Sequence, residues 1–365
     1  MKVLRKISRP ALLLDSGKCR ANIRNMAEKA TLLKLHFRPH FKTHQSAAVG
    51  EWFREEGIKS ITVSSVAMAE YFARCGWNDI SIAFPVNLRE VESINQLAKN
   101  IRLNLLLDSC EVAEQLQKEL KAGVGIYIEV DTGSKRSGIP SANLTAFEIL
   151  VEKLQKLSNL HFKGFLTHAG HIYRAQNRQE VLQIHHQSKE QMLRLKNHFS
   201  SCSPVISIGD TPSCSIAGDF EGVDEIRPGN FVFFDLTQAG IGSCTPENIA
   251  LALACPVVAN YPSRKEIILY GGAIHLSKDS LKNSNGEATY GRLALPDENG
   301  WQILPDENSV ISLSQEHGIA RVHDKRLAKV TPGDLIAVIP VHSCLTAHQM
   351  KEYLNSEGVI MKLMQ

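Results

Sequence analysis

Ile101-Arg-Leu-Asn-Leu-Leu-Leu-Asp108, then Glu111–Leu120, then Val124-Gly-Ile-Tyr-Ile-Glu-Val-Asp131 is the stretch on which the fold turns. Two apolar runs of strand length flank a segment in which Val112, Leu116 and Leu120 recur at i, i+4 and i+8, the spacing of one helix face. Similar apolar runs stand at Ala11–Asp15, Leu35–Lys42, Ile61–Val66, Ile80–Pro85, Leu160–His168, Val205–Gly209 and Glu225–Phe234, with helical spacing between them. Strand–helix alternation repeated this often predicts a parallel sheet, and about eight such units make a (β/α)8 barrel. The barrel is expected over residues 9–238. From 239 to 365 glycines, prolines and short alternating runs take over, as at Val257–Tyr261, Glu266–Gly271, Ser309–Leu313 and Asp334–Ile339. That texture reads as a smaller, mainly β domain, with residues 1–8 a candidate addition to it.

The composition is that of an ordinary globular chain: 43% hydrophobic, 22% charged, formal net charge +3 over 365 residues. No Lys/Arg block points to nucleic acid. No apolar run is long enough to span a membrane, and the basic start reaches Arg9-Pro10 without the apolar core of a secretory signal. The eight cysteines are scattered singly, which fits reduced thiols in a cytoplasm better than a disulfide framework.

Several polar residues close apolar runs: Lys42, Ser64, Asp108, Asp131, His168 and Gly209. In a barrel that end of the strands is the catalytic face. Any one of them could simply cap the next helix; the set is harder to explain that way. Lys42 follows Leu35, Phe37 and Phe41, with Arg38, His40 and His44 near in sequence to lower its pKa, as an imine-forming lysine requires. Ile208-Gly-Asp-Thr-Pro-Ser213 offers glycine, hydroxyls and backbone N–H groups to a phosphate monoester, and Arg227-Pro-Gly-Asn230 is placed to complete the cradle. Arg136, in the turn after Asp131, suits a pyridine nitrogen that is to stay unprotonated. His168 and Tyr173 gather just past a strand end, one to stack on a planar ring and the other as a hydrogen-bond donor or acid–base group. His185, His186 and His198 lie in a polar helical stretch and read as solvated. His342 and Cys344 stand at i and i+2; on a strand both would face one side and hold one metal ion. A Cys ligand favours Zn2+ over Mg2+.

The chain resembles the D-threonine aldolase/D-serine dehydratase family, pyridoxal-phosphate enzymes of the alanine-racemase fold type. The resemblance runs nearly end to end, through Arg38-Pro-His-Phe-Lys-Thr-His44, Thr62-Val-Ser64, Val130-Asp-Thr-Gly133, Arg136-Ser-Gly138, His168-Ala-Gly-His171, Gly209-Asp-Thr-Pro212, Glu225-Ile-Arg-Pro-Gly229, Ser277-Lys-Asp279, Glu316-His-Gly318 and His342-Ser-Cys344. It implies a pyridoxal 5'-phosphate cofactor tethered to Lys42, with His40 beside it and Arg136, His168 and Tyr173 around the ring. It implies a phosphate cradle of Gly209, Thr211, Gly229 and Asn230. His342 and Cys344 would hold a divalent metal, Zn2+ first, with Mn2+ and Mg2+ as alternatives. The expected activity is dehydration of D-serine, D-threonine or 3-hydroxy-D-aspartate to a 2-keto acid and ammonia, with Lys42 and Tyr173 as catalytic groups. Cys at position 344, where aldolases of the family carry Asp, tilts the reading away from retro-aldol cleavage to glycine and an aldehyde. An amino-acid racemase, a non-catalytic cofactor-binding protein and a metal-free sugar-phosphate aldolase are the further rivals. The expected assembly is a cytoplasmic homodimer acting on a small D-amino acid, with no nucleic-acid or membrane partner.

Overall fold

A computed structural model describes residues 4–297 and 300–365. The chain forms two compact units. One comprises Arg24–Lys42 and Gly50–Gly229; the other comprises the chain up to Ile23, Thr43–Val49 and Asn230–Gln365.

The first unit is the barrel. Its strands are β1 (His36–Phe37), β2 (Ile61–Val63), β3 (Asp79–Pro85), β4 (Arg102–Leu107), β5 (Val124–Asp131), β6 (Leu160–Thr167), β7 (Val205–Ile208) and β8 (Glu225–Ile226). Each pairs in parallel with the next in the chain, and β8 pairs with β1. A parallel bridge between His40, just past β1, and Thr62 of β2 closes the ring. β5 is buried along nearly its whole length, as a parallel strand covered on both faces must be. The helix expected between β4 and β5 spans Cys110–Glu119. Ser109 caps it by accepting the Val112 N–H, and Ala113 and Leu116 are its buried residues. Inside the ring Asn104 donates to Ser81 Oγ at 3.0 Å. A Cβ on Gly125 would come within 2.1 Å of Asn104 Oδ1, so β5 carries glycine where β4 points a polar side chain inward.

The second unit is mainly antiparallel β. Leu251–Tyr261 pairs with Leu335–Pro340 on one side and Glu266–Tyr270 on the other, and the path through His317–Arg321, Ser309–Leu313 and Gly291–Asp297 joins those two. Six strands thus close on themselves. Ala11–Leu14, which the sequence pattern places at the head of the barrel series, pairs antiparallel with Leu251–Ala254 and parallel with Glu352–Asn355. Its three leucines are 1% exposed; a short apolar run carries no label of the sheet that will cover it. No helix among the described residues is long and apolar enough to cross a membrane.

Candidate functional site

At the carboxyl ends of the barrel strands lies a cavity of about 560 Å3, lined by His40, Lys42, Ser64, Ala83, Phe84, Pro85, Leu106, Glu129, Arg136, Ser137, Leu166, His168 and Arg227. Phe41 fixes the approach to Lys42. It is fully buried, and its ring meets Phe53, Phe72 and Trp77 at centroid distances of 4.9, 4.9 and 5.0 Å. Such a cluster leaves the preceding strand no freedom to slide. Lys42 itself is exposed in the single chain.

Two neutral histidines flank the lysine. Burial first, then the charge of Lys42, drives His168 down to about 3. Its Nδ1 meets the Gly209 carbonyl; a carbonyl only accepts, so Nδ1 carries the proton and Nε2 is an open acceptor. His40 is pushed well below its ordinary value by burial, then by Lys42 and Arg227. Its Nδ1 faces the Lys42 backbone N–H at 3.4 Å, which puts the proton on Nε2. The two rings therefore hold opposite tautomers. Tyr173 lies with its ring 5.9 Å from that of His168, tilted by 34°, and its hydroxyl accepts the Thr211 N–H at 3.4 Å.

The expected flanking charges do not all serve Lys42. Arg38 runs inward to Glu225 (2.7 Å) and Asp79 (2.6 Å). His44 belongs to the other unit and is held neutral, at about 3, by burial. Asp131 folds a turn by accepting from Gly133 and Lys135 N–H. His185 is buried and bonds the Asp219 carbonyl at 2.8 Å, unlike the solvated group its polar helix suggests.

Of the residues expected at the cofactor, His40, Lys42, Arg136 and His168 line the cavity. Tyr173, Gly209, Thr211, Gly229 and Asn230 do not. The Gly209 N–H is already given to the Thr167 carbonyl. Asn230 turns its amide to Asp235 (2.7 Å), Ser343 Oγ (3.1 Å) and Cys344 Sγ (3.4 Å) in the β unit. It is drawn there because a buried carboxylate must be met by donors.

Two lining groups carry more than the sequence suggests: there Arg227 reads only as part of a phosphate cradle, and Glu129 is not read at all. Arg227 is 3% exposed; it donates from Nε to Ser207 Oγ at 2.6 Å and from Nη2 to the Thr167 carbonyl at 2.7 Å. Gly209 makes its room, since a Cβ there would lie 2.7 Å from Nη1. Glu129 is buried, accepts from Ser137 Oγ at 3.0 Å, and has Arg136 Nη2 at 3.8 Å. Its carboxyl is raised, chiefly by burial, and its Oε2 has no hydrogen-bond partner among the described residues. Only the apolar-run ending at β5 and the Arg-Pro-Gly after β8 signalled them. A cavity with a lysine, two guanidiniums, two neutral imidazoles and a carboxyl oxygen without a partner among the described residues fits an anionic, aromatic aldehyde cofactor.

In the β unit His342 and Cys344 do meet, but not by strand alternation. The strand ends at Pro340; His342 caps the helix Ser343–Met350 and Cys344 lies in its first turn. Burial opposes charge on both. Burial is the largest single influence, but the mutual hydrogen bond, the partner's opposite charge and the neighbouring Asp279 and Thr43 together outweigh it, so the imidazole is raised and the thiol lowered. Thr43 Oγ1 also lies 3.4 Å from Cys344 Sγ. His342 Nδ1 is committed to Asp279 Oδ2 at 2.7 Å, leaving Nε2 for a metal, the usual carboxylate–histidine arrangement. Among the described residues no set of three His, Cys, Asp or Glu converges on one point. One nitrogen and one sulfur fit Zn2+ and would leave its other positions to water or substrate.

A closed parallel barrel with a lysine just past β1, and a separate antiparallel unit, is the architecture of fold-type relatives of alanine racemase. The chain belongs to the family described as "Alanine racemase, N-terminal domain", whose model matches residues 14–237. A second model, "Putative serine dehydratase domain", matches residues 250–355. D-threo-3-hydroxyaspartate dehydratase from Delftia sp. (strain HT23) is 27% identical, over 96% of this chain and 95% of its own. Its structure superposes with a TM-score of 0.90, at 25% identity and 99% coverage of both chains. A D-serine dehydratase from Dictyostelium discoideum is 26% identical over 98% and 96%. A D-threonine aldolase from Arthrobacter sp. is 24% identical over 93% and 86%. Dehydratases and aldolases are both lyases. A Cys-to-Ala variant of a D-threo-3-hydroxyaspartate dehydratase has been solved in a metal-free form.

Proposed function

We propose that this chain is a pyridoxal-phosphate- and metal-dependent lyase that dehydrates a D-β-hydroxy amino acid. The products are a 2-keto acid and ammonia. The observation that carries the metal-dependent reading is the His342–Cys344 pair, brought together at the start of one helix, with His342 Nδ1 anchored on Asp279 so that Nε2 is left for a metal. The relatives named as dehydratases support elimination over carbon–carbon cleavage.

When bound, the cofactor supplies a conjugated ring that takes up an electron pair at Cα, and the metal supplies a Lewis acid at the β-hydroxyl. The protein's own groups do the rest. Lys42 would tether the cofactor aldehyde, and its amine, when free, would be placed to move the Cα proton. His40 and His168 stay neutral beside it, so they stack and orient without competing for that proton. Tyr173 is the second acid–base group. Gly209, Thr211, Gly229 and Asn230 would be the phosphate cradle, although the Gly209 and Thr211 N–H groups are given to Thr167 and Tyr173 here. His342 and Cys344 hold the metal, Zn2+ before Mn2+ or Mg2+. Arg136 is the expected partner of the ring nitrogen. Arg227 is a second candidate, because it is buried, fixed by Ser207, and its Nη1 arm has no protein partner among the described residues. A cytoplasmic homodimer completes the reading; light scattering that shows a monomer at micromolar concentration would refute the dimer.

The deciding assay is product analysis with D-threonine, D-serine and 3-hydroxy-D-aspartate, with and without added Zn2+ or Mn2+. 2-Oxobutanoate and ammonia from D-threonine, abolished by chelator, is the expected result. Glycine and acetaldehyde would make the enzyme an aldolase.

A further inference from the structure

We infer that Ser277 is a positioning residue for the metal centre: its hydroxyl, held in a backbone conformation that favours glycine, fixes Asp279 against His342. The inference deepens the proposed function and rests on its metal reading. Ser277 ends the short helix Ala273–Leu276 with φ 72° and ψ −178°, a region populated essentially by glycine because a Cβ crowds the backbone there. Yet the residue is serine, and it is 6% exposed.

The surroundings hold that turn in place. Ser277 N–H donates to the Ala273 carbonyl at 2.9 Å. The preceding Leu276 carbonyl accepts from Thr346 Oγ1 at 3.4 Å, and the same hydroxyl lies 3.2 Å from the His342 carbonyl. One threonine thus ties the end of this turn to the start of the helix that carries both proposed ligands. The Ser277 hydroxyl accepts the Asp279 N–H at 3.2 Å, and Asp279 Oδ2 meets His342 Nδ1 at 2.7 Å. Asp279 is exposed, with about half its side chain in water (49%). With half its side chain in water, its aim depends on its backbone, and its backbone N–H is held by Ser277. Glycine would take the dihedral angles without strain; what it would lose is the hydroxyl.

The test uses the full chain freed of metal by chelator and titrated with Co2+ alone, read by the thiolate-to-cobalt charge-transfer absorption. Asp279→Asn is expected to weaken Co2+ binding by about 10- to 100-fold, the range for a lost partner of a ligating histidine. Ser277→Gly should weaken it in the same direction by less, while the thermal midpoint of the metal-free protein stays level or rises. The double variant should bind no more weakly than Asp279→Asn, because both changes act through one carboxylate. Wild-type affinity in either single variant overturns the inference. So does a fall in the metal-free midpoint of Ser277→Gly, which would make the serine a matter of folding alone. If wild type shows no charge-transfer band, or Cys344→Ala leaves that band intact, the metal reading itself is wrong and this inference falls with it.

Discussion

Replacing Asp210 by Asn should make the protein's stability less sensitive to pH, and the size of the effect follows from where the carboxyl sits. Asp210 follows β7 and caps the helix Thr211–Ile216, accepting the Ser213 N–H at 2.6 Å. It is 2% exposed. Burial raises its carboxyl from 3.8 to about 6, more than its bonds to Ser213 and the charge of Arg227 lower it. The folded chain therefore keeps a proton that the unfolded chain has already released. Stability from this group is whole below about pH 3.8, declines as pH rises through the window to about 6, and stays lost above it. The total is about 3 kcal/mol, at roughly 1.4 kcal/mol for each tenfold change in proton affinity. Asparagine keeps the oxygen that caps Ser213 and cannot ionise. Urea unfolding of cofactor-free wild type and Asp210→Asn, compared between about pH 4 and about pH 7, should show the variant gaining about 2.4 kcal/mol on wild type across that range. A difference that stays constant with pH would show that Asp210 ionises at its ordinary value and that burial does not control it.

Three further outcomes follow from the site. Gly209→Ala would drive a methyl to 2.7 Å from Arg227 Nη1 and 2.9 Å from its Cζ. The buried guanidinium has no room to yield, so a loss of about 1–3 kcal/mol is expected in thermal unfolding, together with weaker cofactor binding by equilibrium dialysis. Lys42→Ala should fold as wild type by circular dichroism, yet borohydride reduction should fix no cofactor to the chain; a labelled peptide elsewhere would refute the lysine's assignment. Cys344→Ala should still be labelled at Lys42 by that reduction while losing all chelator-sensitive turnover. Retained turnover would remove Cys344 from the metal centre.

The barrel was legible because its information is local. Val124–Asp131 is apolar along most of its length and Leu160–Thr167 over its buried second half, and the segments between strands repeat at helical spacing, so each unit announces itself within about 30 residues. Ala11–Leu14 has the same local signature but a different home. Its partner strand begins at Leu251, and no property of four apolar residues encodes a pairing that distant. The strand–helix boundary at Pro340 was hidden for a related reason. His342 and Cys344 meet across the first turn of a helix, where i and i+2 do not ordinarily face each other, because His342 lies outside the helix as its cap.

The site divides along the same line. Lys42, Arg136 and His168 could be read because each ends a strand or opens the turn after one, and the barrel sends such residues to one face. Arg227 could be placed only in a phosphate cradle, because what distinguishes it is a chain of contacts between strands. Asp79 and Glu225 hold Arg38, Ser207 Oγ donates to Glu225 at 2.6 Å, and Arg227 Nε donates to Ser207. Charge thus alternates through the barrel interior from β3 to the cavity, and every buried ion has an opposite or a donor beside it, as the low dielectric demands. Arg136 has only Glu129 at 3.8 Å, with more than half its side chain exposed (57%). Preorganisation favours the fixed group where a ring nitrogen must be held at a set angle and distance. If that ordering is right, Arg227→Lys, which loses the fork but keeps the charge, should lower cofactor affinity more than Arg136→Lys does; the reverse order would return the ring nitrogen to Arg136.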